Sequence, residues 1–250
     1  MTFSICIDSL FSGMDSPEAL EQIKAAGFDV YEFWFWQNRD MNALAGKAAA
    51  LGLSCAGFCT RSFNLTEPGQ RETFLFGLKE SLAQTKKMGA RFLITQSGND
   101  TGAGRGSQQQ SIVDGLKMAA PMLEEAGSTL LLEPLNNKID HPGIYLTSSD
   151  EGFDILAQAG SPNIKLLFDI YHQQITEGDI IRRITSHISE IGHIHCAGNP
   201  GRHELDSGEL DFRRIFSALE SSGYRGYAGI EYFPAEAVAN GLKRLRELMD

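Results

Sequence analysis

Four ionisable residues, each at the end of a short apolar run, are the strongest candidates for chemistry in this sequence. They are Glu133, Asp169, His195 and Glu231, at successive intervals of 36, 26 and 36 residues. Three carboxylates that lie close together repel one another unless a cation neutralises them. An oxygen-rich ligand set with one imidazole suits Mn²⁺ or Mg²⁺ and is also compatible with Co²⁺ or Zn²⁺. The quartet therefore predicts a site for one divalent metal ion.

The alternative for any single member of this quartet is a structural role. A lone Glu or Asp at the end of a strand is often a helix cap or the partner of an ion pair. Four such residues at corresponding positions of consecutive repeats are harder to explain in this way. We therefore favour the metal site over four independent structural roles.

Two further side chains near the quartet could hold a substrate. His172 lies about one helical turn after Asp169, where its imidazole could reach a substrate oxygen. Its alternative is an ordinary loop histidine. Arg202 lies in a loop rich in Gly and Pro that follows His195, and its planar guanidinium could bind a carboxylate or a phosphate. Its alternative is a surface arginine.

Aromatic and histidine residues in two of the apolar runs each have two interpretations. Trp34 lies in a run of four aromatic residues, 33–36, and strand alternation predicts that these point in pairs to opposite sides. One pair would then either wall the pocket, with Trp34 as a substrate contact, or pack beneath the outer helices. His193 precedes His195 by two residues and points to the same side. We interpret it as a buried interior histidine rather than a ligand.

Eight short β-like runs alternate with longer helical stretches and would position these residues. The runs are Phe3–Ile7, Val30–Trp34, Ser54–Phe58, Phe92–Thr95, Thr129–Glu133, Lys165–Asp169, Gly192–His195 and Ala228–Glu231. Eight repeats in 250 residues give about 31 residues each, close to the ~30 of a βα unit. Alternating β and α elements form a parallel sheet, and eight of them favour a closed (β/α)₈ TIM barrel. Active sites in this α/β fold lie at the C-terminal ends of the strands, where the quartet would converge.

Local signals agree with one continuous barrel. Ser16-Pro17-Glu18 predicts a helix start, with Ser16 as the cap residue, Pro17 at the first helical position and Glu18 as an early acid,. No linker or change in composition divides the chain, so we predict a single domain over residues 1–250. The longest irregular stretch, Gln96–Ser107, predicts a mobile βα loop. No G-x-G-x-x-G motif follows the first strand, which argues against a dinucleotide-binding sheet.

Composition and charge limit the kinds of binding partner and the cellular compartment that we expect. The net charge of −10 and the pI of about 5.1 disfavour a nucleic-acid partner, because phosphate binding needs a basic surface. The first residues lack the segments of a signal peptide, and no apolar run reaches the ~18 residues of a membrane span. We therefore expect a cytoplasmic protein whose four cysteines are reduced and serve as small buried residues. The oligomeric state, including a homo-oligomer, stays open.

Several linked motifs resemble a known family. From Leu130 to Pro234 the chain is similar to the hydroxypyruvate isomerase-like branch of the xylose isomerase-like TIM barrels. The matching motifs are Glu133-Pro-Leu-Asn136, Phe168-Asp169-Ile-Tyr-His172-Gln, Glu177-Gly-Asp179, Gly192-His-Ile-His195, Asn199-Pro-Gly-Arg202-His203-Glu204 and Gly229-Ile-Glu231-Tyr232. The resemblance implies that the quartet binds the metal and that Glu133 and Glu231 also form the acid/base pair. It further implies that His172 and Arg202 contact substrate, as their counterparts do in ketose 3-epimerases.

The function implied is metal-dependent isomerisation of a small hydroxy-carbonyl compound, such as hydroxypyruvate and tartronate semialdehyde or a related sugar. The carbonyl acidifies the neighbouring C–H, and a metal ion stabilises the resulting enediolate. Ketose 3-epimerases of this superfamily carry a further Glu six positions after the first ligand. That position is Ile139 here, followed by Asp140, which argues against a standard epimerase. The region from Gly57 to Gly106 also departs from the hydroxypyruvate isomerase pattern, so the resemblance does not name the substrate.

Three alternatives stay open beside this isomerase. A ketose 3-epimerase would use the same metal and acids. An apurinic endonuclease would need more histidine ligands and a basic face, which six histidines and a charge of −10 argue against. A non-catalytic sugar-binding barrel would have no need of the quartet.

Overall fold

Eight parallel strands close into a barrel in the computed structural model, which describes residues 1–61 and 64–248. The strands are β1 (Thr2–Cys6), β2 (Val30–Phe33), β3 (Ser54–Cys59), β4 (Phe92–Thr95), β5 (Thr129–Leu132), β6 (Ile164–Asp169), β7 (Ile191–Cys196) and β8 (Tyr227–Ile230). Each strand pairs with the next in the chain, and β8 pairs with β1, where Ile230 lies opposite Ile5. The predicted TIM barrel is confirmed, and every strand begins and ends within one residue of its predicted bounds.

Helices cover the outside of the barrel. They are α1 (Ile7–Leu10), α2 (Ser16–Ala25), α3 (Met41–Leu51), α4 (Arg71–Met88), α5 (Arg105–Ala126), α6 (Ser149–Ala159), α7 (Ile170–Thr176), α8 (Ile180–Ser186), α9 (Phe212–Ser221) and α10 (Val238–Glu247), with one 3₁₀ turn at Pro68–Gln70. The helix predicted here is present, but the predicted cap is wrong by one residue: Asp15 lies at the N-cap position and Ser16 is the first helical residue. Gly89 caps the C-terminal end of α4 with a left-handed φ of +64°, and β4 follows. This is the short αβ turn that a parallel sheet requires.

Side-chain alternation decides which residues face the barrel interior. Residues two apart on a strand point to the same side. Leu131 and Leu167 are fully buried two positions before Glu133 and Asp169, and they belong to a small apolar cluster. That cluster consists of Val30, Ala56, Phe92, Ile94, Leu131 and Leu167. The quartet therefore lies above a packed apolar plug, as expected for a barrel of this size.

The connection between β4 and α5 is shorter than predicted, because α5 already begins at Arg105. Its backbone is bonded to the segment that follows β5. The Asp100 N–H donates to the Gly143 carbonyl at 2.7 Å, and the Tyr145 N–H donates to the Gly98 carbonyl at 3.1 Å. The four cysteines are free thiols. Among the residues that the structure describes, no helix is both long enough and apolar enough to cross a bilayer.

Candidate metal and substrate site

The quartet converges at the C-terminal end of the barrel. Asp169 ends β6 opposite His195 of β7, while Glu133 and Glu231 come directly after β5 and β8. One ligand atom of each residue lies within 4.8 Å of those of the other three, and all four are buried. The Nδ1 atom of His195 is 3.4 Å from Glu231 Oε2, 3.6 Å from Glu133 Oε1 and 3.9 Å from Asp169 Oδ2. The closed barrel thus brings together residues spread over about a hundred positions.

This arrangement fits a divalent cation. Ligand atoms about 2.1 Å from one metal ion lie roughly 3 to 4.2 Å apart, which is close to the separations around His195 Nδ1. These distances are longer than ordinary N–H···O hydrogen bonds. Within residues 1–61 and 64–248, neither ring nitrogen of His195 has a hydrogen-bond partner. A buried nitrogen that faces three carboxylates without bonding to them is well suited to ligate a metal ion.

The protein's own charges act differently on the two glutamates of the quartet. Burial raises the pKa of Glu133 to about 7. Burial also acts to raise the pKa of Glu231, but the charges of His195 and Arg202 outweigh it and hold this pKa well below its usual range. The two carboxyl groups therefore differ in proton affinity although both are buried.

Arg202 is buried at the rim of the quartet, so the alternative of a surface arginine is wrong. Its guanidinium donates a hydrogen bond to Glu231 and lies 3.8 Å from Asp169 Oδ2. It also lies over the rings of Tyr171 and Phe233, at 5.3 and 5.8 Å. Its φ of +57° is left-handed, an uncommon conformation for a residue other than glycine. The Phe233 N–H stabilises this turn by donating to the Arg202 carbonyl at 2.8 Å.

His172 lies in the first turn of α7, and its fully buried ring faces the cavity. The Asn136 amide oxygen accepts from two backbone N–H groups, so its nitrogen faces His172 Nδ1 at 2.6 Å and donates to it. The proton of a neutral imidazole is then on Nε2. Burial, with a contribution from Arg202, lowers the pKa of His172 well below its ordinary value. In the described part of the chain Nε2 has no hydrogen-bond partner, so it is free to donate to a ligand.

The aromatic run after β2 does not follow the predicted alternation. Trp34 and Phe35 are adjacent, yet both line the cavity. The Trp34 indole N–H donates to Glu231, whereas Trp36 turns away and donates to Ser81 of α4 at 3.2 Å. The pairing of side chains predicted for residues 33–36 is therefore wrong. The physical reason is that β2 ends at residue 33, beyond which the strand rule has no force.

Asp140 faces the cavity, whereas its neighbour Ile139 does not. Ile139 is 64% exposed, while Asp140 lines the cavity and accepts a hydrogen bond of 2.6 Å from the Asn136 amide. The cavity has a volume of about 330 Å³, within the range of small-molecule sites. A more open groove of about 930 Å³ adjoins it and shares Gln96, Asp140 and His141 with it.

Glu32 is a residue near the site that the sequence prediction missed. It lies on β2, 2% exposed, and contacts both His193 and His195. The available signal was a charged residue within the otherwise apolar run Val30–Phe33. The interior position predicted for His193 is confirmed, since its side chain is fully buried.

Gly229 makes room for this group, and we predict that Gly229→Ala destabilises the fold. A Cβ there would lie 2.5 Å from Glu32 Oε1, 2.6 Å from His195 Cδ2 and 2.7 Å from His193 Nε2. Forcing an extra methyl into a packed core costs about 1–3 kcal/mol. Urea unfolding should show this loss in the free energy of unfolding. Gly46→Ala is the control, because nothing lies within 4 Å of its Cβ position in α3, and an equal loss there would contradict the packing argument.

Comparisons with known proteins agree with the fold and the motifs. A family model described as "Xylose isomerase-like TIM barrel" matches residues 20–248. The hydroxypyruvate isomerase of Escherichia coli is 30% identical over 264 residues, covering 97% of this chain and 97% of that protein. A 2-oxo-tetronate isomerase from Cupriavidus necator is 39% identical over 144 residues, covering 58% of this chain and 55% of that protein.

Among solved structures, an AP endonuclease, family 2, from Brucella melitensis has a TM-score of 0.94. It is 28% identical in sequence, and the alignment covers 98% of each chain. The similarity extends over the whole barrel, including the strands that carry the quartet.

Proposed function

Because the chain belongs to the xylose isomerase-like TIM barrel family, we propose that it is a metal-dependent isomerase acting on a small hydroxy-carbonyl compound, with hydroxypyruvate as the first candidate. The observation that carries this proposal is the buried quartet, of which Glu133, His195 and Glu231 line a cavity of about 330 Å³. Relatives named hydroxypyruvate isomerase and 2-oxo-tetronate isomerase support the isomerase class.

Proton transfer between adjacent carbons is the chemistry that two facing glutamates can perform. In an α-hydroxy carbonyl compound, the C–H next to the carbonyl is acidic enough for a carboxylate to remove. We assign Glu133 and Glu231 as the pair that removes the proton and returns it to the neighbouring carbon. The quartet would hold one divalent ion, Mn²⁺ or Mg²⁺ in the first instance, whose charge would offset negative charge developing on the substrate oxygens.

Three further residues would bind and orient the substrate. His172 would donate a hydrogen bond from Nε2 to a substrate oxygen, since Asn136 fixes its tautomer. Arg202 would bind a carboxylate or a hydroxyl through its planar fork, while remaining paired with Glu231. Trp34 forms part of the cavity wall and its indole N–H orients the Glu231 carboxylate.

Turnover of defined substrates in D₂O tests the proposal. Hydroxypyruvate, 2-oxo-tetronate and free ketoses would each be incubated with Mn²⁺, Mg²⁺ or Co²⁺ and followed by NMR. Isomerisation should move the carbonyl and can incorporate solvent deuterium at the accepting carbon. Binding of sugars without turnover and without a metal requirement would instead support a non-catalytic barrel and contradict the proposal.

A ketose 3-epimerase is the second candidate, favoured by Asp140 and by the adjoining groove. Asp140 supplies a carboxylate at the cavity, one position after the residue where the epimerases carry their acid. The groove of about 930 Å³ could take the remaining hydroxyls of a longer sugar. In the same D₂O assay, inversion at C3 of a ketose without carbonyl migration would identify this activity.

The charge of this chain argues against a nucleic-acid substrate, which the name of the Brucella protein would suggest. A duplex carries one negative charge per ~1.7 Å, and this protein has 32 acidic against 22 basic residues. The quartet also contains a single histidine. These features favour a sugar over a nucleic acid as the substrate.

We predict that His172→Leu impairs substrate use while sparing metal binding. The variant keeps the volume but loses the Nε2–H donor, and a hydrogen bond to a developing charge contributes about 1.5–3 kcal/mol. The expected fall in kcat/KM is therefore about 10- to 100-fold, with little change in Mn²⁺ affinity. His187→Leu, which replaces a half-exposed histidine remote from the cavity, is the matched control. Unchanged kcat/KM in His172→Leu would remove His172 from the substrate site.

A further inference from the structure

A buried carboxylate lies directly behind the metal-ligand candidates, outside the cavity. Glu32 Oε1 is 2.8 Å from His195 Nε2, and Glu32 Oε2 is 3.0 Å from His193 Nε2. The Ser4 hydroxyl donates to the same Oε2 at 2.6 Å. Each of these side chains is at most 2% exposed. An unpaired carboxylate in such surroundings is strongly destabilising, so its partners are part of the reason that it can be buried there.

The approach of Glu32 Oε1 to within 2.8 Å of His195 Nε2 favours one tautomer of that imidazole. A carboxylate accepts hydrogen bonds, so it favours a proton on the Nε2 that faces it. A neutral imidazole then has its lone pair on Nδ1, the atom that faces Glu133, Asp169 and Glu231. His193 Nε2 pairs with the second carboxylate oxygen at 3.0 Å, and this oxygen also accepts from the Ser4 hydroxyl.

We infer that Glu32 is a positioning residue for the metal site, holding His195 in the ring orientation and tautomer that direct Nδ1 at the ion, with His193 as its second partner. This inference rests on the proposed function only in assuming that the quartet binds a metal ion. Partners of this kind typically contribute 10- to 100-fold to metal affinity.

The same three residues also have the composition of a small metal site, since Glu32, His193 and His195 bring ligand atoms within 4.8 Å of one another. Pairing of the two imidazoles with one carboxylate accounts for this cluster without an ion. Both imidazole nitrogens lie at hydrogen-bond distance from separate oxygens of one carboxylate,. A second ion here would also require His195 to ligate through both nitrogens. We therefore expect one divalent ion per chain.

The packing around the Glu32 carboxylate supports a fixed position for this group. Glu32 reaches from β2 to the side chains of β7, across the interior beside β8. Gly229 of β8 has no side chain where a Cβ would meet the carboxylate and both imidazoles. The carboxylate therefore has little room to move away from His195.

A Mn²⁺ titration of the full chain tests this inference without relying on activity. Free Mn²⁺ would be quantified by electron paramagnetic resonance for the wild type, Glu32→Gln and Glu177→Gln. The control, Glu177→Gln, also neutralises a largely buried glutamate, one bonded to Ser148 and Ser149 away from the quartet. We expect one Mn²⁺ per chain and a dissociation constant raised 10- to 100-fold in Glu32→Gln alone.

A second measurement, on the wild type alone, tests the inference if Glu32→Gln does not fold. Long-range ¹H–¹⁵N NMR of the Zn²⁺-loaded wild type should show His195 protonated at Nε2 and ligated at Nδ1. The opposite assignment would overturn the inference, as would equal Mn²⁺ affinity in Glu32→Gln and wild type, or two ions per chain.

These outcomes are separable from failure of the proposed function. A wild type that binds one Mn²⁺ but interconverts no hydroxy-carbonyl compound would refute the isomerase and leave the role of Glu32 intact. A wild type that binds no divalent ion would refute both.

Discussion

Glu231→Gln is expected to lower kcat by at least about a thousand-fold while the barrel remains folded. One positioned acid or base contributes about 10²–10⁴ to rate, and this carboxylate is proposed both to transfer the proton and to ligate the metal. The amide cannot accept a proton and is a weaker ligand. The substitution also changes the contacts with Trp34 and Arg202, because in the wild type each of these side chains donates a hydrogen bond to one oxygen of the Glu231 carboxylate.

Steady-state kinetics at saturating Mn²⁺ would separate the two roles of Glu231. If only the metal ligand were lost, added Mn²⁺ would restore kcat; loss of the proton-transfer group cannot be restored in this way. Glu177→Gln is again the matched control, with kcat expected near that of the wild type. Circular dichroism should be unchanged in both variants, and near-wild-type kcat in folded Glu231→Gln would refute the assignment.

Strand bounds and the quartet could be predicted from sequence because both depend on local patterns. Apolar runs of four to six residues fix the strands, and the barrel then brings the end of each strand to one face. Glu133 and Asp169 illustrate this, since each follows its run directly and lies where the period predicts.

Contacts set by distant parts of the chain could not be predicted in the same way. The direction of the Trp34 side chain depends on where β2 ends. The predicted strand included Trp34, whereas the strand in the structure ends at Phe33. His193, one of the partners of Glu32, is 161 residues away along the chain, so nothing local identifies Glu32 as more than a polar residue in a strand. Arg202 is buried through a left-handed turn held by Phe233, and a loop sequence alone does not reveal that geometry.

Metal removal is expected to abolish activity and to lower thermal stability, because the quartet is proposed to bind the ion only in the folded state. Dialysis against a chelator should reduce turnover to background, and added Mn²⁺ should restore it. An ion present at about 100 times its dissociation constant stabilises the fold by about 2.7 kcal/mol. For a domain of this size, that corresponds to a rise in Tm of about 5–10 °C.

The change in Tm identifies the quartet as the site only if it disappears when a ligand is removed. Asp169→Asn takes one carboxylate from the quartet, so Mn²⁺ should no longer raise its Tm appreciably. Asp154→Asn on the exposed face of α6 keeps all four ligands and should respond as the wild type does. A Tm rise of equal size in Asp169→Asn would mean that Mn²⁺ stabilises the protein elsewhere. Burial raises the pKa of Asp169 above its ordinary value, so the metal-free protein should gain stability from Asp169→Asn, which is the reverse of the effect of this substitution on the loaded enzyme.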